Sequence, residues 1–374
     1  MVGKNALNAS NSRGYLDYNN FRFVNHQSKG EVHMKNKSIV LGVIFCILIL
    51  VGVSGCQSET NNSTEPKTTD LPMKVGTAFW PGTYWVDIAH HKGWFEMAGL
   101  NVVYVDTNPD YVGSLTDMVA GKIDVNGFSL FDLMNFNAAG SDLVMVINAD
   151  NSSGAEAIVS NSEIQSLKGL KGKKIGVSKG TYVEYILDEV LTREGIDKSD
   201  VKIVEILSEN APTELEKANV DAVVTYEPYV TEILATNAAR KLFDTSEIPG
   251  ISPNGSTFHR SFIDERPGDV QAFINVWHKT TEFMKENPKE AFGIIAQLYD
   301  STPGDVQAFG QLDRILDLRE NIVAYSFGSG FESLHGAARK INNFLIKNGA
   351  TDKQLDSTEF IDARFLRTLS ENQI

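Results

Sequence analysis

Residues 167–181 read LKGLKGKKIGVSKGT, and this stretch decides the fold. Its run KKIGV at 173–177 has the length and the apolar character of a buried β-strand. Residues 181–194 are amphipathic at helical spacing and are followed by Gly195, which predicts an α-helix. A strand that leads through a short turn into a helix is the repeating unit of an α/β fold.

The same alternation continues in both directions along the chain. Strands are predicted at 73–79, 101–105, 123–125 and 143–148, with helices at 84–93, 112–120 and 129–139 between them. A second unit begins near residue 157, with strands at 173–177, 201–207, 222–225 and 241–243 and helices at 164–170, 181–194, 212–217 and 229–236. This order predicts an α/β protein with a largely parallel sheet.

The C-terminal part is predicted to be mostly helical from 267 to 348, after a returning strand at 256–259. The heptapeptide PGDVQAF occurs twice, at 267–273 and at 303–309. Proline is favoured at the first position of a helix, and an acid two residues later faces the positive end of the helix dipole. We therefore predict that a helix starts at each copy.

Together these segments predict two α/β lobes joined by two crossings. Lobe 1 comprises residues 73–156 and 256–374, and lobe 2 comprises residues 157–255. A ligand is expected in the cleft between the lobes, near the carboxyl ends of the strands. We expect a monomer, because the chain shows no coiled-coil heptads.

An apolar run near the start, IVLGVIFCILILVGV at 39–53, follows a basic segment that begins at Met34. It is shorter than the roughly 20 residues of a membrane span, so it predicts a signal peptide over 34–55. The run ends in VSGC, which resembles the lipobox of prokaryotic lipoproteins, so we predict lipidation of Cys56. The alternative is a plain signal peptide with a chance cysteine. A lipid-anchored position on the extracytoplasmic face of the membrane follows from the first interpretation.

The segments on either side of this signal are polar. Residues 56–72 contain almost no apolar residues and are predicted to be a tether. We interpret residues 1–33 as a spurious or non-native extension and Met34 as the true start. A tag or a true N-terminal extension is the alternative.

The composition argues against several classes of function. The formal net charge is −14, and such an acidic surface repels phosphate backbones, so no nucleic-acid partner is expected. The only cysteines, Cys46 and Cys56, lie near the start, which leaves the body without a disulfide framework. His90 and His91 are adjacent and lack further spaced ligands, so neither a metal nor a cofactor is expected. No Ser-His-Asp set and no paired carboxylate stands out in the sequence, so we expect no catalytic residues and no enzyme activity.

The order of short motifs resembles the nitrate/sulfonate/taurine substrate-binding proteins, also called the NMT1/THI5-like family. The matching segments lie at 80–82, 93–95, 99–102, 120–125, 167–177, 180–181 and 221–228. The resemblance covers most of residues 73–330. It implies a two-lobed periplasmic-binding-protein fold of the type II class. It also implies closure of the lobes on a small solute and docking to a membrane permease.

One candidate ligand site lies between a predicted strand and a helix. Ser178, Gly180 and Thr181, with Tyr182 beside them, occupy this turn. Free N–H groups at a helix start, together with the Thr181 hydroxyl, bind the oxygens of an anion such as a sulfonate, carboxylate or nitrate. The alternative is a simple helix N-cap formed by Ser178 or Thr181.

A second group of candidates flanks equivalent turns in the first lobe. Trp80 and Tyr84 lie at the first strand-to-helix turn, where rings pack on a ligand's apolar part or face a cationic group. Core packing is the alternative. Phe128 and Ser129 occupy the corresponding place after the third strand, and the alternative for Ser129 is a helix cap.

A third group lies beside the lobe crossings. Ser152 and Ser153 precede the first crossing, and relatives often carry a second acid near 153, so serine there argues against amine recognition by that position. Glu227 follows a buried strand. It could accept a hydrogen bond from a ligand amine or guanidine, or it could hold the hinge by binding backbone N–H groups.

These observations predict an extracytoplasmic solute-binding receptor of an ABC importer. Its ligand is expected to be a small organic anion or zwitterion of the sulfonate, taurine or nitrate kind, and its partner the permease. One alternative is a protein that binds or makes a thiamine pyrimidine precursor. The other is a binding protein coupled to a sensor.

Overall fold

The computed structural model describes residues 67–372 except 109 and 237. In this part of the chain the strands are β1 (Pro72–Thr77), β2 (Asn101–Asp106), β3 (Val125–Ser129), β4 (Leu143–Ser152), β5 (Glu156–Asn161), β6 (Lys174–Val177), β7 (Lys202–Glu205), β8 (Ala222–Tyr226), β9 (Ala239–Asp244), β10 (Pro253–His259) and β11 (Asp313–Ile315).

The described part of the chain contains fifteen α-helices. They are α1 (Tyr84–His91), α2 (Trp94–Met97), α3 (Tyr111–Val119), α4 (Leu130–Ala138), α5 (Tyr182–Arg193), α6 (Ala211–Glu216), α7 (Tyr229–Leu234), α8 (Arg260–Glu265), α9 (Pro267–Glu286), α10 (Pro288–Leu298), α11 (Pro303–Gly310), α12 (Leu318–Ala324), α13 (Leu334–Lys347), α14 (Ser357–Phe360) and α15 (Arg364–Glu371). None of the helices in this part of the chain has both the length and the apolar character of a membrane span.

The strands form two separate sheets. One has the order β11-β4-β10-β3-β1-β2, and the other has the order β7-β6-β8-β5-β9. The chain leaves the first sheet after Ser152, enters the second at Glu156, leaves it at Asp244 and returns at Pro253. The predicted α/β class with two sheet-centred units is therefore confirmed.

The prediction of largely parallel pairing is wrong for the strands next to the crossings. β10 pairs antiparallel with both β3 and β4, and β5 pairs antiparallel with both β8 and β9. Each of these strands directly follows a passage between the sheets and inserts between strands of opposite direction. Of the other described pairs, β1–β2, β1–β3, β6–β7 and β6–β8 are parallel, as expected for strand–helix–strand units, and β4–β11 is antiparallel.

Both copies of PGDVQAF start a helix, which confirms that prediction. α9 begins at Pro267 and α11 begins at Pro303, each with an aspartate in its first turn. In the second copy the Thr302 hydroxyl also accepts a hydrogen bond of 3.2 Å from the Asp305 N–H. The region predicted to be mostly helical also contains one short strand among the described residues, β11, which pairs antiparallel with β4.

The C-terminal helix α13 packs against both sheet-centred units. The Phe344 ring lies 5.7 Å from the ring of Phe131 on α4 and 5.6 Å from that of Tyr185 on α5. On its surface, Lys347 Nζ lies 2.8 Å from the carboxylate of Asp188. This helix therefore contacts α4 of the first unit and α5 of the second.

Candidate ligand-binding cleft

A cavity of about 1360 Å³ lies between the two sheets and is lined by residues of both. The first unit contributes the turns after β1 and β3 and the end of β4, and the second contributes Glu156, Tyr182 and the segment after β8. Most of these positions are carboxyl ends of strands, where α/β proteins bind their ligands. The volume exceeds that of most small-molecule sites, so the cavity has room for an organic solute and water.

Asp150 forms one wall of the cavity. It lies near the end of β4 and is only 1% exposed. The Nε1–H of Trp80 and the Nδ2–H of Asn254 both donate to its Oδ2, over 3.2 and 3.0 Å. Burial raises the pKa of Asp150 to about 6, although these two hydrogen bonds act in the opposite direction.

Gly82 allows this carboxylate its position. A Cβ atom at residue 82 would lie 1.8 Å from Asp150 Oδ1, which is far inside the van der Waals contact distance of the two atoms. The backbone of the turn after β1 therefore approaches the carboxylate directly, and only glycine permits that approach.

Glu156 is the first residue of β5 and reaches the cavity from the second sheet. It is 1% exposed, and its Oε2 has no hydrogen-bond partner among the described residues. Burial raises the pKa of Glu156 to about 7, the Ser152 hydroxyl lowers it, and the charge of Asp150 raises it further. The Glu156 carboxyl therefore titrates near neutral pH, and a positive charge placed beside it would favour its ionised form.

Asp313 is the third buried acid of this region. It lies on β11, one strand from Asp150, and is 6% exposed. Burial, followed by the charges of Asp150 and Glu156, raises the pKa of Asp313 well above its usual value. Burial and the neighbouring carboxylates therefore favour the protonated form of Asp313.

Aromatic rings cover much of the remaining wall. Trp80 meets the Phe309 ring edge-on at 5.5 Å, and Tyr226 lies 6.0 Å from Tyr182 and 5.6 Å from Tyr229. Burial, followed by the charge of Glu156, raises the pKa of Tyr182 well above its usual value. The Tyr182 hydroxyl therefore stays protonated beside the carboxylate.

The first unit adds a polar group opposite these tyrosines. Tyr111 and Ser129 both donate to Asp132 Oδ2, over 2.8 and 2.7 Å. Burial raises the pKa of Asp132, and the hydroxyls of Ser129 and Tyr111 lower it. Ser129 Oγ also accepts a 3.0 Å hydrogen bond from the Asp132 N–H, so this serine both caps α4 and lines the cavity.

Four of the predicted site residues line the cavity: Trp80, Ser129, Tyr182 and Glu227. The Glu227 carboxylate accepts hydrogen bonds from the Thr231 N–H at 3.0 Å and the Thr231 hydroxyl at 2.9 Å. Burial raises the pKa of Glu227, and the bonds from Thr231 lower it. The Glu227 carboxylate therefore holds the start of α7.

The turn predicted to bind an anion is placed away from the cavity lining. The Gly180 N–H donates to the carboxylate of Glu184 over 2.8 Å, and the Thr181 hydroxyl donates to the Ser178 carbonyl over 2.7 Å. The chain's own carboxylate thus occupies the N–H group that an anion would need. Of the four residues of this turn, only Tyr182 reaches the cavity.

The other predicted residues lie in the core or beside the crossings. Tyr84 and Phe128 are fully buried, with Tyr84 packed 5.6 Å from the Phe79 ring. The Ser152 hydroxyl lies 2.7 Å from that of Thr245, and the Ser153 N–H donates to a backbone carbonyl. These two serines therefore form hydrogen bonds next to the first crossing and do not line the cavity.

Sequence reasoning assigned no role to Asp150, Glu156, Asn254, Tyr111 and Tyr226. A signal was present for the two acids, because each stands at the end of an apolar strand segment where a charge has no local partner. No signal in the local sequence marks Asn254, which meets Asp150 only through the pairing of β10 with β4. No trio of His, Cys, Asp or Glu suited to a metal ion occurs in the described ranges.

Two α/β units that share a ligand-sized cavity define the periplasmic-binding-protein fold. A putative periplasmic sulfonate-binding protein of a sulfonate ABC transporter from Methylobacillus flagellatus KT has this fold. It matches with a TM-score of 0.65 at 18% identity, over 81% of this chain and 95% of its own. The desulfurization enzyme DSZB also matches, with a TM-score of 0.56 at 16% identity, over 81% and 99% of the two chains. At these identities the likeness shows the fold alone.

Sequence comparison gives the family. The NMT1/THI5 like family profile matches residues 83–291, and the chain belongs to this family. A putative aliphatic sulfonates-binding protein of Bacillus subtilis (strain 168) is 25% identical over 339 residues, which are 88% of this chain and 97% of the relative. The family expected from the motifs is therefore confirmed.

Proposed function

We propose that the chain is an extracytoplasmic receptor that binds a small organic solute and delivers it to an ABC importer. The cavity between the two sheets is the observation that carries this proposal, because both units supply its walls. A solute that contacts both walls favours the closed arrangement of the units, and a permease can bind that closed form selectively. The similarity to a putative aliphatic sulfonates-binding protein supports a solute of the sulfonate or zwitterion class.

The two crossings have the contacts that a hinge requires. The Thr245 hydroxyl, after β9, accepts a 2.8 Å hydrogen bond from the Gly154 N–H and lies 2.7 Å from the Ser152 hydroxyl. These bonds join the outgoing and returning segments at one point, so the units can rotate about it without separating. We propose lobe boundaries at these crossings, with 73–156 and 256–374 in one lobe and 157–255 in the other.

An enzymatic role is the second candidate, because DSZB shares the fold. The cavity walls carry no thiol, since the only two cysteines of the chain, Cys46 and Cys56, precede residue 67. We therefore propose a binding role in which the solute leaves unchanged.

Attachment to the membrane is part of the proposal. The apolar run at 39–53 and Cys56 lie outside the described residues, and their sequence supports a lipoprotein signal. Cys56→Ser should release the protein from the membrane fraction and abolish incorporation of labelled fatty acid. Retention of both properties in the variant would contradict a lipid anchor at this residue.

The receptor function is tested by ligand-dependent unfolding of the full-length chain purified in detergent. A ligand that binds only the folded state raises the melting temperature by mass action. We expect at least one of a panel of sulfonates, amino-sulfonates, amines and amino acids to do so, and mass spectrometry to recover that compound unchanged. Conversion of the compound to a product would favour the enzyme instead.

A further inference from the structure

This inference rests on the proposed receptor function and narrows its ligand. We propose that the cleft recognises a positively charged nitrogen on an organic solute, held by the carboxylates of Asp150 and Glu156 within a wall of aromatic rings. The ligand is thus an organic cation or a zwitterion that presents its cationic end to these two acids.

The charge of the cavity wall is one-sided. Seven carboxylates line it, and none of the described lining residues is a lysine, arginine or histidine. They are Asp106, Asp110, Asp150, Glu156, Glu209, Glu227 and Glu232. A solute whose only charge is negative would be repelled by every charged group in the wall, whereas a cation would be attracted.

Glu156 supplies an acceptor that the described protein residues leave unused. Its Oε2 is buried without a hydrogen-bond partner among them, which is costly for an oxygen that bears charge. A ligand N–H or a quaternary nitrogen at this place would compensate that cost. Glu156 also stands opposite Tyr226 in the strand register, so a group bound there meets both a carboxylate and a ring.

Asp150 is oriented for the same purpose. Its Oδ2 accepts the two hydrogen bonds from Trp80 and Asn254, and these neutral donors fix the carboxylate without neutralising it. The described wall therefore contains an anchored negative charge with no protein cation to balance it. A charged nitrogen on the ligand provides that balance.

The rings complete the recognition of a cation. Trp80 adjoins Asp150, and Tyr182 and Tyr226 adjoin Glu156, with their ring centroids 6.0 Å apart. The faces of Trp and Tyr attract cations, most strongly where water is excluded. An anion gains nothing from these faces. The backbone site that could have held one, the Gly180 N–H, is bound by Glu184 over 2.8 Å.

Two matched pairs of compounds test the proposal on the full-length chain in detergent at pH 8. Taurine and ethanesulfonate share one carbon skeleton and differ in the ammonium group, and choline and 3,3-dimethyl-1-butanol differ in the charge of one quaternary atom. We expect a charged-nitrogen compound to raise the melting temperature and its partner to leave it unchanged. A shift by ethanesulfonate equal to that by taurine would overturn cation recognition and leave the receptor function standing. If none of the four compounds raised the melting temperature, that result would also count against cation recognition. The receptor function would then be tested separately with the wider panel of compounds described above.

Variants that remove a negative charge test which residues bind the charged nitrogen. Asp150→Asn and Glu156→Gln keep the shape of each side chain, and each should weaken binding of the charged-nitrogen compound by roughly 30-fold or more. Asp352→Asn, at an exposed carboxylate outside the cavity, is the control and should leave the affinity unchanged. Melting of each ligand-free variant shows whether it folds. Unchanged affinity in both cavity variants, when they are folded, would refute the assignment.

Discussion

The indole N–H of Trp80 donates a 3.2 Å hydrogen bond to Asp150 Oδ2, and this contact joins the aromatic part of the cavity wall to its buried acid. Trp80 lies in the turn after β1, and Asp150 lies near the end of β4. Two distant turns of the first unit are thereby held in one arrangement. Because the same ring packs edge-on against Phe309, its orientation is fixed before a ligand arrives.

Trp80→Phe separates the hydrogen bond from the ring. The variant keeps an aromatic face and removes the donor to Asp150, so we expect about tenfold weaker ligand binding, measured by calorimetry. Trp80→Ala removes the ring as well and should weaken binding further. Thr181→Ala is the matched control, because Thr181 does not line the cavity. A larger loss of ligand affinity in Thr181→Ala than in Trp80→Phe would indicate that the ligand binds at the turn before α5 instead.

Gly82→Ala tests the close approach of backbone to carboxylate. The new Cβ would lie 1.8 Å from Asp150 Oδ1, so either the turn or the carboxylate must move. We expect a loss of about 1–3 kcal/mol in the free energy of unfolding, together with loss of ligand binding. Gly293→Ala within α10 is the control, since a Cβ there meets no atom within 4 Å, and it should be neutral or stabilising. Equal denaturation midpoints for the two variants would show that the turn yields without cost.

The course of the fold was predictable because strand and helix periodicities are local. Strand β6 and helix α5 appear in the sequence as an apolar run, a turn and an amphipathic segment, and the structure has them within a residue or two. Strand direction is not local information. The segment of β5 was not predicted as a strand, and only its pairing with β8 and β9 makes it antiparallel.

Site residues were predictable from the sequence where they lie at a single strand-to-helix turn. Trp80 and Tyr182 each stand at a strand-to-helix turn, and both reach the cavity. Asp150 and Asn254 are separated by 104 positions and meet through the pairing of β4 with β10. No local pattern predicts such a pair. At the turn predicted to bind an anion, Glu184 lies in the first turn of α5, and its carboxylate accepts the hydrogen bond of the Gly180 N–H.

Phe344→Ala tests the packing of α13 across the two units. The ring is 4% exposed and lies between Phe131 and Tyr185, so its removal should cost about 3–5 kcal/mol of the free energy of unfolding. Phe327→Ala is the control, because that ring is 75% exposed, and it should change the midpoint of denaturant unfolding little. A variant as stable as the wild type would mean that α13 does not hold the units together.

The pKa values of the buried acids predict how ligand binding depends on pH. Burial raises the pKa of Asp150 to about 6 and that of Glu156 to about 7, and it also raises the pKa values of Asp313 and Tyr182. A bound cation favours the ionised acids, so binding releases protons. The affinity for a charged-nitrogen compound should therefore rise between pH 5 and about 8 and then level off. Calorimetry in buffers of different ionisation enthalpy measures the protons released, and uptake of protons instead would contradict the prediction.

The same acids set the stability of the ligand-free protein. A carboxyl whose pKa is higher in the folded state binds a proton more readily there, so its contribution to stability is largest at low pH. That contribution is lost as the pH rises through the folded pKa. For Glu156 the pKa rises from 4.5 to about 7, which corresponds to about 3 kcal/mol of unfolding free energy. Glu156→Gln does not titrate, so its stability relative to the wild type should increase by about that amount between pH 4.5 and pH 8. Urea denaturation of both proteins at each pH measures the difference. A constant difference across this range would mean that Glu156 ionises as freely in the folded chain as in water.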